Sequence, residues 1–137
     1  MIRMHEAAAK DKLDVMMEQQ REFMLLLQKK RGFPNFPVDL SSKDGQRFLK
    51  EISYETVGEL FEAIQHLRNS KRHRLTDTNE IDHGLYLEEL VDVLHYYFEI
   101  VIASGISAEE LYDAYINKGK VNVKRIEQGY LLFSLNA

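Results

Sequence analysis

The sequence predicts an all-α protein, an antiparallel bundle of four to five helices built as a single domain over residues 1–137. Three observations carry this expectation. Apolar residues recur with helical period almost everywhere. Only two prolines and seven glycines interrupt 137 residues, so long stretches are free to be helical. No internal repeat or low-complexity segment marks a second domain, and the chain is long enough for one sizeable core.

The first helix is expected over about residues 5–31, where Leu13, Met16, Met17, Phe23, Met24 and Leu27 recur at helical spacing and Gly32 follows as a stop. GFPNFP is a turn-rich connection. A second helix is expected over about 42–69, capped by Ser41 or Ser42, with Phe48, Leu49, Ile52, Val57, Leu60, Phe61 and Ile64 as its apolar face. SKRHRLTDT, residues 70–78, reads as a basic polar loop. The third helix, about 79–104, is apolar over most of its circumference and should be the most buried; Gly105 ends it. Ser107 and Glu110 form a capping box for a fourth helix that starts at about 108 and breaks near Gly119. The tail YLLFSLNA is apolar enough to pack on the bundle or a partner, or to form a short strand.

Composition excludes several function classes. The absence of cysteine removes disulfides, thiolate zinc sites and a cysteine nucleophile, and fits an intracellular protein. A formal charge of −4 argues against binding a nucleic acid polymer. The N-terminus, MIRMHEAAAKDKLD, has no signal-peptide apolar core. The most apolar stretch, Leu85 to Ala103, carries Glu88, Glu89, Asp92, His95 and Glu99, too many ionisable groups for a membrane span. A cytoplasmic location is expected.

Two acidic couplets stand out. Glu59/Glu62 and Glu89/Asp92 each have i, i+3 spacing, which puts both carboxylates on one helix face. Four clustered anions repel unless a cation neutralises them, and an oxygen-only ligand set suits a hard cation, Mg2+ first. The competing reading is a solvated acidic face. It is weaker on the third helix, where Leu90, Val91, Val93 and Leu94 surround Asp92. Glu55, one turn before Glu59, reads equally as an outer ligand or a surface charge, and Glu88 as exposed or outer-sphere. His95, one turn after Asp92, could belong to a di-iron motif. That plan needs a second such motif, and the second helix offers Glu62 and His66 at i, i+4 instead, so His95 reads as a hydrogen-bonded core or supporting residue. Tyr96 and Tyr97 read as core, and Met16, Met17 and Met24 as gap-filling core residues.

Taken together, GELFEAIQHL and YLEELVDVLHYYFEI resemble the all-α nucleoside triphosphate pyrophosphohydrolases, the superfamily of MazG and the dimeric dUTPases. Its E-x-x-E and E-x-x-D couplets are matched by Glu59/Glu62 and Glu89/Asp92, with 26 residues between Glu62 and Glu89. The dimeric dUTPase branch is the nearer, through ELVDVLHYYFEI and the C-terminal pattern Lys118, Asn122, Arg125, Gly129-Tyr130. The sequence departs from the family in three places. Gly58 stands where MazG-type chains often have an acid. Gln20-Arg-Glu-Phe23-Met24 keeps the Gln but not the Asn of a Gln-x-x-Leu-Asn motif. Ser70-Lys71-Arg72-His73-Arg74 replaces a tryptophan-rich loop.

The resemblance implies a Mg2+-dependent dUTP diphosphatase, converting dUTP and water to dUMP and diphosphate, and a homodimer or higher homo-oligomer. Glu59, Glu62, Glu89 and Asp92 would be both the catalytic residues and the ligands of two or more Mg2+ ions, with Mn2+ a possible substitute. Gln20 and Phe23 would contact the nucleoside; Lys118, Asn122, Arg125 and Tyr130 would contact the substrate, the cations through its phosphates. Lys71 and Arg74, which the resemblance does not cover, read from their charge as further substrate contacts or as solvated charges. The alternatives are a MazG-like or dCTP-preferring pyrophosphohydrolase, a non-catalytic helical interaction protein, and a di-iron carboxylate protein.

Overall fold

The computed structural model describes residues 10–77 and 80–129. They form four α-helices and, among the described residues, no strand: α1 (Lys12–Arg31), α2 (Lys43–Ile64), α3 (His83–Ala103) and α4 (Ala108–Glu127). The protein is all-α, as the periodicity predicts. It divides into two compact units, Met1–Gly105 with the first three helices and Ile106–Ala137 with the fourth.

Each helix begins on a side-chain cap. Asp11 accepts from the Asp14 amide while the Asp14 carboxylate accepts from the Asp11 amide, a reciprocal box that starts α1 at Lys12 rather than near residue 5. Lys10 pairs with Glu18 beside it. Gly32, at φ 67°, closes α1 as expected. Ser42 caps α2 and Asp82 caps α3; the Asp82 cap moves the start of α3 to His83. Ile64 ends α2 earlier than expected, where the chain tightens into i to i−3 bonds such as Leu67 N to Ile64 O, 2.9 Å.

In the first unit α3 packs against α1 and, more extensively, α2. α2 and α3 run antiparallel: carboxylate oxygens of Glu59 and Glu89 lie within 4.8 Å of each other towards one end of the seam, and Ile52 and Glu99 line one cavity near the other. Met17 and Met24 from α1, Ile52 and Ala63 from α2, and Phe98, Val101, Ile102 and Ala103 from α3 are buried. α3 contributes most, but only through its C-terminal half; Leu85, Leu87, Leu90 and Val91 in its N-terminal half are exposed. The sequence showed how apolar α3 is, not which part of it a neighbour covers.

The connection between α1 and α2 is tied to all three helices. Gln28 Nε2 donates to Pro34 O at 3.1 Å, and the Arg21 guanidinium lies 4.9 Å over the Phe36 ring. The Phe33 and Phe48 rings are 6.3 Å apart, and Val38 N donates to Ala103 O at 2.8 Å. Two glycines are needed by close approach. A Cβ on Gly45 would lie 2.1 Å from Asp39 O, and one on Gly105, itself at φ 79°, would lie 3.2 Å from the Pro37 Cβ.

The second unit is described by α4. Ser107 Oγ accepts from the Glu110 amide at 3.1 Å, so Ser107 caps the helix as expected, but the return bond from the Ser107 amide to the Glu110 side chain that would complete the capping box is not formed. The expected break at Gly119 is not. The helix runs on to Glu127 with open space where a Gly119 side chain would stand. A mid-helix glycine costs only about 1 kcal/mol relative to alanine, which a twenty-residue helix can absorb. The tail beyond Gly129 lies outside the described residues.

Candidate functional site

The site is built on the seam between α2 and α3. Glu59 and Glu62 share a face of α2, Glu89 and Asp92 a face of α3, and the antiparallel pairing brings the couplets together. Carboxylate oxygens of Glu59, Glu89 and Asp92 all lie within 4.8 Å of one another. Glu62 is close enough to raise the carboxyls of both Glu59 and Glu89, so the fourth predicted ligand stands beside this group of three. His66 Nε2 lies 3.9 Å from Glu89 Oε1 at its margin.

The cluster is electrostatically uncomfortable. Partial burial raises the Glu59 carboxyl above the ordinary range, and the charges of Glu62 and Asp92 raise it further. Glu89 is raised by burial, then by the close approach of Glu62 and the Glu62 charge, with His66 opposing. Protons or a cation must relieve this crowding. An all-oxygen donor set of this density fits a hard divalent ion.

From the cluster a cavity of about 810 Å³ opens between α1, α2 and α3. Glu59 and Asp92 line it at one end. Phe23 and Leu27 of α1, Phe33, and Phe48 and Ile52 of α2 supply apolar walls. Gln20 is buried, with His95 Nδ1 2.9 Å from its amide oxygen. That oxygen only accepts, so Nδ1 carries the proton, and in the neutral ring Nε2 is an acceptor. His95 is thus the hydrogen-bonded supporting residue the sequence suggests. Tyr96 lines the same cavity, which departs from its reading as core. Burial raises its phenol, and Glu55, Glu59, Glu99 and Asp92 raise it further, in that order, so its O–H stays a donor facing acids.

Of the predicted substrate contacts, Gln20 and Phe23 join Glu59 and Asp92 in this cavity. Lys71 and Arg74 sit in the irregular segment after α2, exposed and outside the lining, with Arg74 N donating to Lys71 O at 3.2 Å. Lys118, Asn122 and Arg125 are on α4 in the second unit. Tyr130 lies outside the described residues.

Residues 41–130 match the sequence profile of the dUTPase family. The chain belongs to this family. The match spans α2, α3 and α4 and contains all four clustered carboxylates. No curated protein and no solved structure matches the chain. Membership makes a nucleotide the substrate class and hydrolysis the reaction class, which suits a cavity that combines clustered carboxylates with apolar walls.

Sequence reasoning missed Glu51, Phe33 and Glu99 as lining residues. Glu99 had a signal: it follows Asp92 by two helical turns, which places it on the same face of α3.

Proposed function

We propose that this dUTPase-family chain hydrolyses dUTP to dUMP and diphosphate, with Mg2+ held by Glu59, Glu62, Glu89 and Asp92. The observation that carries the reading is that carboxylate oxygens of Glu59, Glu89 and Asp92, drawn from both couplets, lie within 4.8 Å of one another, with Glu59 and Asp92 also lining the cavity. When bound, Mg2+ supplies charge neutralisation of the triphosphate and a more acidic water.

The chain's own groups do the rest. Glu55 lines the cavity one turn from Glu59 and is placed to orient a water or take its proton, a role also open to the clustered carboxylates. Tyr96 lines the same cavity with its phenol held in the protonated form. Phe23 offers a ring face and Gln20 an amide to the nucleoside. Lys118, Asn122 and Arg125 share a face of α4 and are assigned to the phosphates on their motif match. Lys71 and Arg74 are assigned there by charge.

We also propose a homodimer. Val57, Leu60, Phe61 and Ile64 form an i, i+3, i+4, i+7 stripe on the side of α2 away from its acidic residues, and all four are exposed in the single chain.

The experiment is diphosphate release from a panel of dNTPs with Mg2+, Mn2+ or Ca2+ and after chelation. Hydrolysis of dUTP with Mg2+ or Mn2+, weak with Ca2+ and lost on chelation, is the expected result. Turnover that survives exhaustive chelation overturns the metal assignment. Preference for dCTP or breadth over all dNTPs supports a sister specificity instead.

A further inference from the structure

Among the described residues only two polar side chains are buried, Gln20 and Glu99, and both line the cavity at the α2–α3 seam. Gln20 has His95 as its partner. Glu99 has none: no hydrogen bond or ion pair reaches it from any described residue. Yet no buried side-chain oxygen is left wholly enclosed without a partner, so the Glu99 carboxyl keeps contact with the cavity space. A carboxyl that is 7 % exposed, faces a cavity and has no partner within the protein must take its hydrogen bonds from whatever occupies that cavity.

Its position says which part of a ligand it meets. Glu99 follows Asp92 by seven residues on α3, about 10 Å along the helix at 1.5 Å per residue. The phosphates of a nucleotide belong at the Asp92 end, so sugar and base extend towards Glu99. The walls there, Phe23, Phe33, Phe48 and Ile52, suit the flat faces of a base. A base edge entering such walls needs polar partners; Glu51 also lines the cavity, but Gln20 and Glu99 are the buried polar groups, with His95 bonded to Gln20.

We propose that Glu99 is a specificity-determining residue that reads the base: its carboxylic acid group pairs edge to edge with the donor–acceptor edge of a pyrimidine seated between the apolar walls. This rests on the nucleotide-hydrolase reading above. A neutral carboxyl offers one O–H donor and one carbonyl acceptor side by side, complementary to the N3–H and O4 of uracil. With the proton on the other oxygen it also matches N3 and the amino group of cytosine. Burial alone pushes the Glu99 carboxyl up towards its neutral form, and a base stacked over it removes the remaining water and acts in the same direction. Glu99 thus reads the donor–acceptor edge of either pyrimidine, with the acid proton placed on one oxygen or the other.

The test compares the wild type, Glu99→Met and Glu99→Gln. Three measurements are made: KM and kcat for dUTP and dCTP, inhibition by tripolyphosphate, which has no base, and thermal melts. Loss of a buried pairing should raise the KM for dUTP in Glu99→Met by about tenfold or more, with kcat changed less than about threefold. Tripolyphosphate inhibition should stay within about twofold of wild type, because the phosphate end is untouched. Glu99→Gln, which keeps a donor beside an acceptor, should recover most of the loss. An unchanged KM in folded Glu99→Met overturns the proposal. So does a parallel weakening of tripolyphosphate, which would place Glu99 with the phosphates. A glutamine variant as impaired as the methionine one would overturn it too, since the anion, not the acid, would then be used.

A second arm titrates metal-free protein with deoxyuridine and deoxycytidine and follows the amide NMR spectrum. Shifts around Gln20, His95 and Glu99 are expected in the wild type, and their absence overturns the proposal even if Glu99→Met does not fold. Nucleoside binding without hydrolysis of any dNTP would instead overturn the proposed function and leave the base site standing.

Discussion

At the scale of single residues, the carboxylates trade stability for charge. Glu62→Gln and Asp92→Asn keep volume and remove one anion each. Both should lower kcat by about 100-fold or more, equivalent to about 2.7 kcal/mol of transition-state stabilisation. Without metal the same changes should stabilise the fold. The folded-state carboxyls of Glu59 and Glu89 lie above their ordinary value, so their contribution to stability is present at low pH and lost as pH rises through the folded pKa. At pH 7 they are therefore a liability that Glu62→Gln relieves. Metal-free melts from pH 7 down to the ordinary glutamate range should show the variant above the wild type at pH 7 and the gap closing on acidification. A wild-type melt that is the higher at pH 7 would contradict the crowding of these carboxylates. The couplets were legible in the sequence because i, i+3 spacing is a local property of a helix. The burial of Glu99 was not, because it depends on which residues of α1 and α2 come to stand opposite, and the sequence shows Glu99 only as a charge interrupting an apolar run.

At the scale of elements, caps and stops were readable to within a few residues, since Ser42, Gly32 and Ser107 act on the chain beside them. Where the boundary moved, a second local signal decided: Asp11 for α1, Asp82 for α3. Gly45 is a different case, because its need for no side chain comes from the loop folding back on it. Gly45→Ala forces a Cβ towards Asp39 O, at 2.1 Å before any shift, and should cost about 1–3 kcal/mol, as overpacking does. Thermal or urea unfolding measures this; an unchanged midpoint would show that the turn ahead of α2 yields freely. On α4, Arg125→Ala should cost more in kcat/KM than Arg125→Lys, since a guanidinium grips two phosphate oxygens and an ammonium cannot. The expected loss for alanine is about tenfold to hundredfold, from about 1.5–3 kcal/mol for a charge-assisted bond. Unchanged kinetics with a lowered melting temperature would make Arg125 structural.

At the scale of the molecule, a single chain leaves much apolar surface uncovered. Phe61 is 60 % exposed at the centre of the α2 stripe. If that stripe is the seam between two copies, Phe61→Glu should shift the protein from dimer to monomer by light scattering after size-exclusion chromatography, while helical circular dichroism persists. A wild type that is monomeric at high micromolar concentration would sink the dimer. The all-α class was legible throughout, because a helical period repeats along the whole chain. Burial was not, because an apolar residue announces only that it wants a neighbour, never which one.

The antiparallel seam of α2 and α3 has a consequence for how such a protein can diverge. Both ends of the cavity, Glu59 and Asp92 at one and Ile52 and Glu99 at the other, hang on the same two helices. One residue inserted into α2 between Ile52 and Glu59, or into α3 between Asp92 and Glu99, would turn one end about 100° relative to the other, since a helix completes a turn in 3.6 residues. Such a change breaks two functions at once. The connection between Ile64 and His83 lies outside that span, and its described residues are absent from the cavity lining. Length is therefore frozen within the seam and less constrained in this connection, where an insertion leaves the two ends in register with each other while the positions of His66, Lys71 and Arg74 still matter.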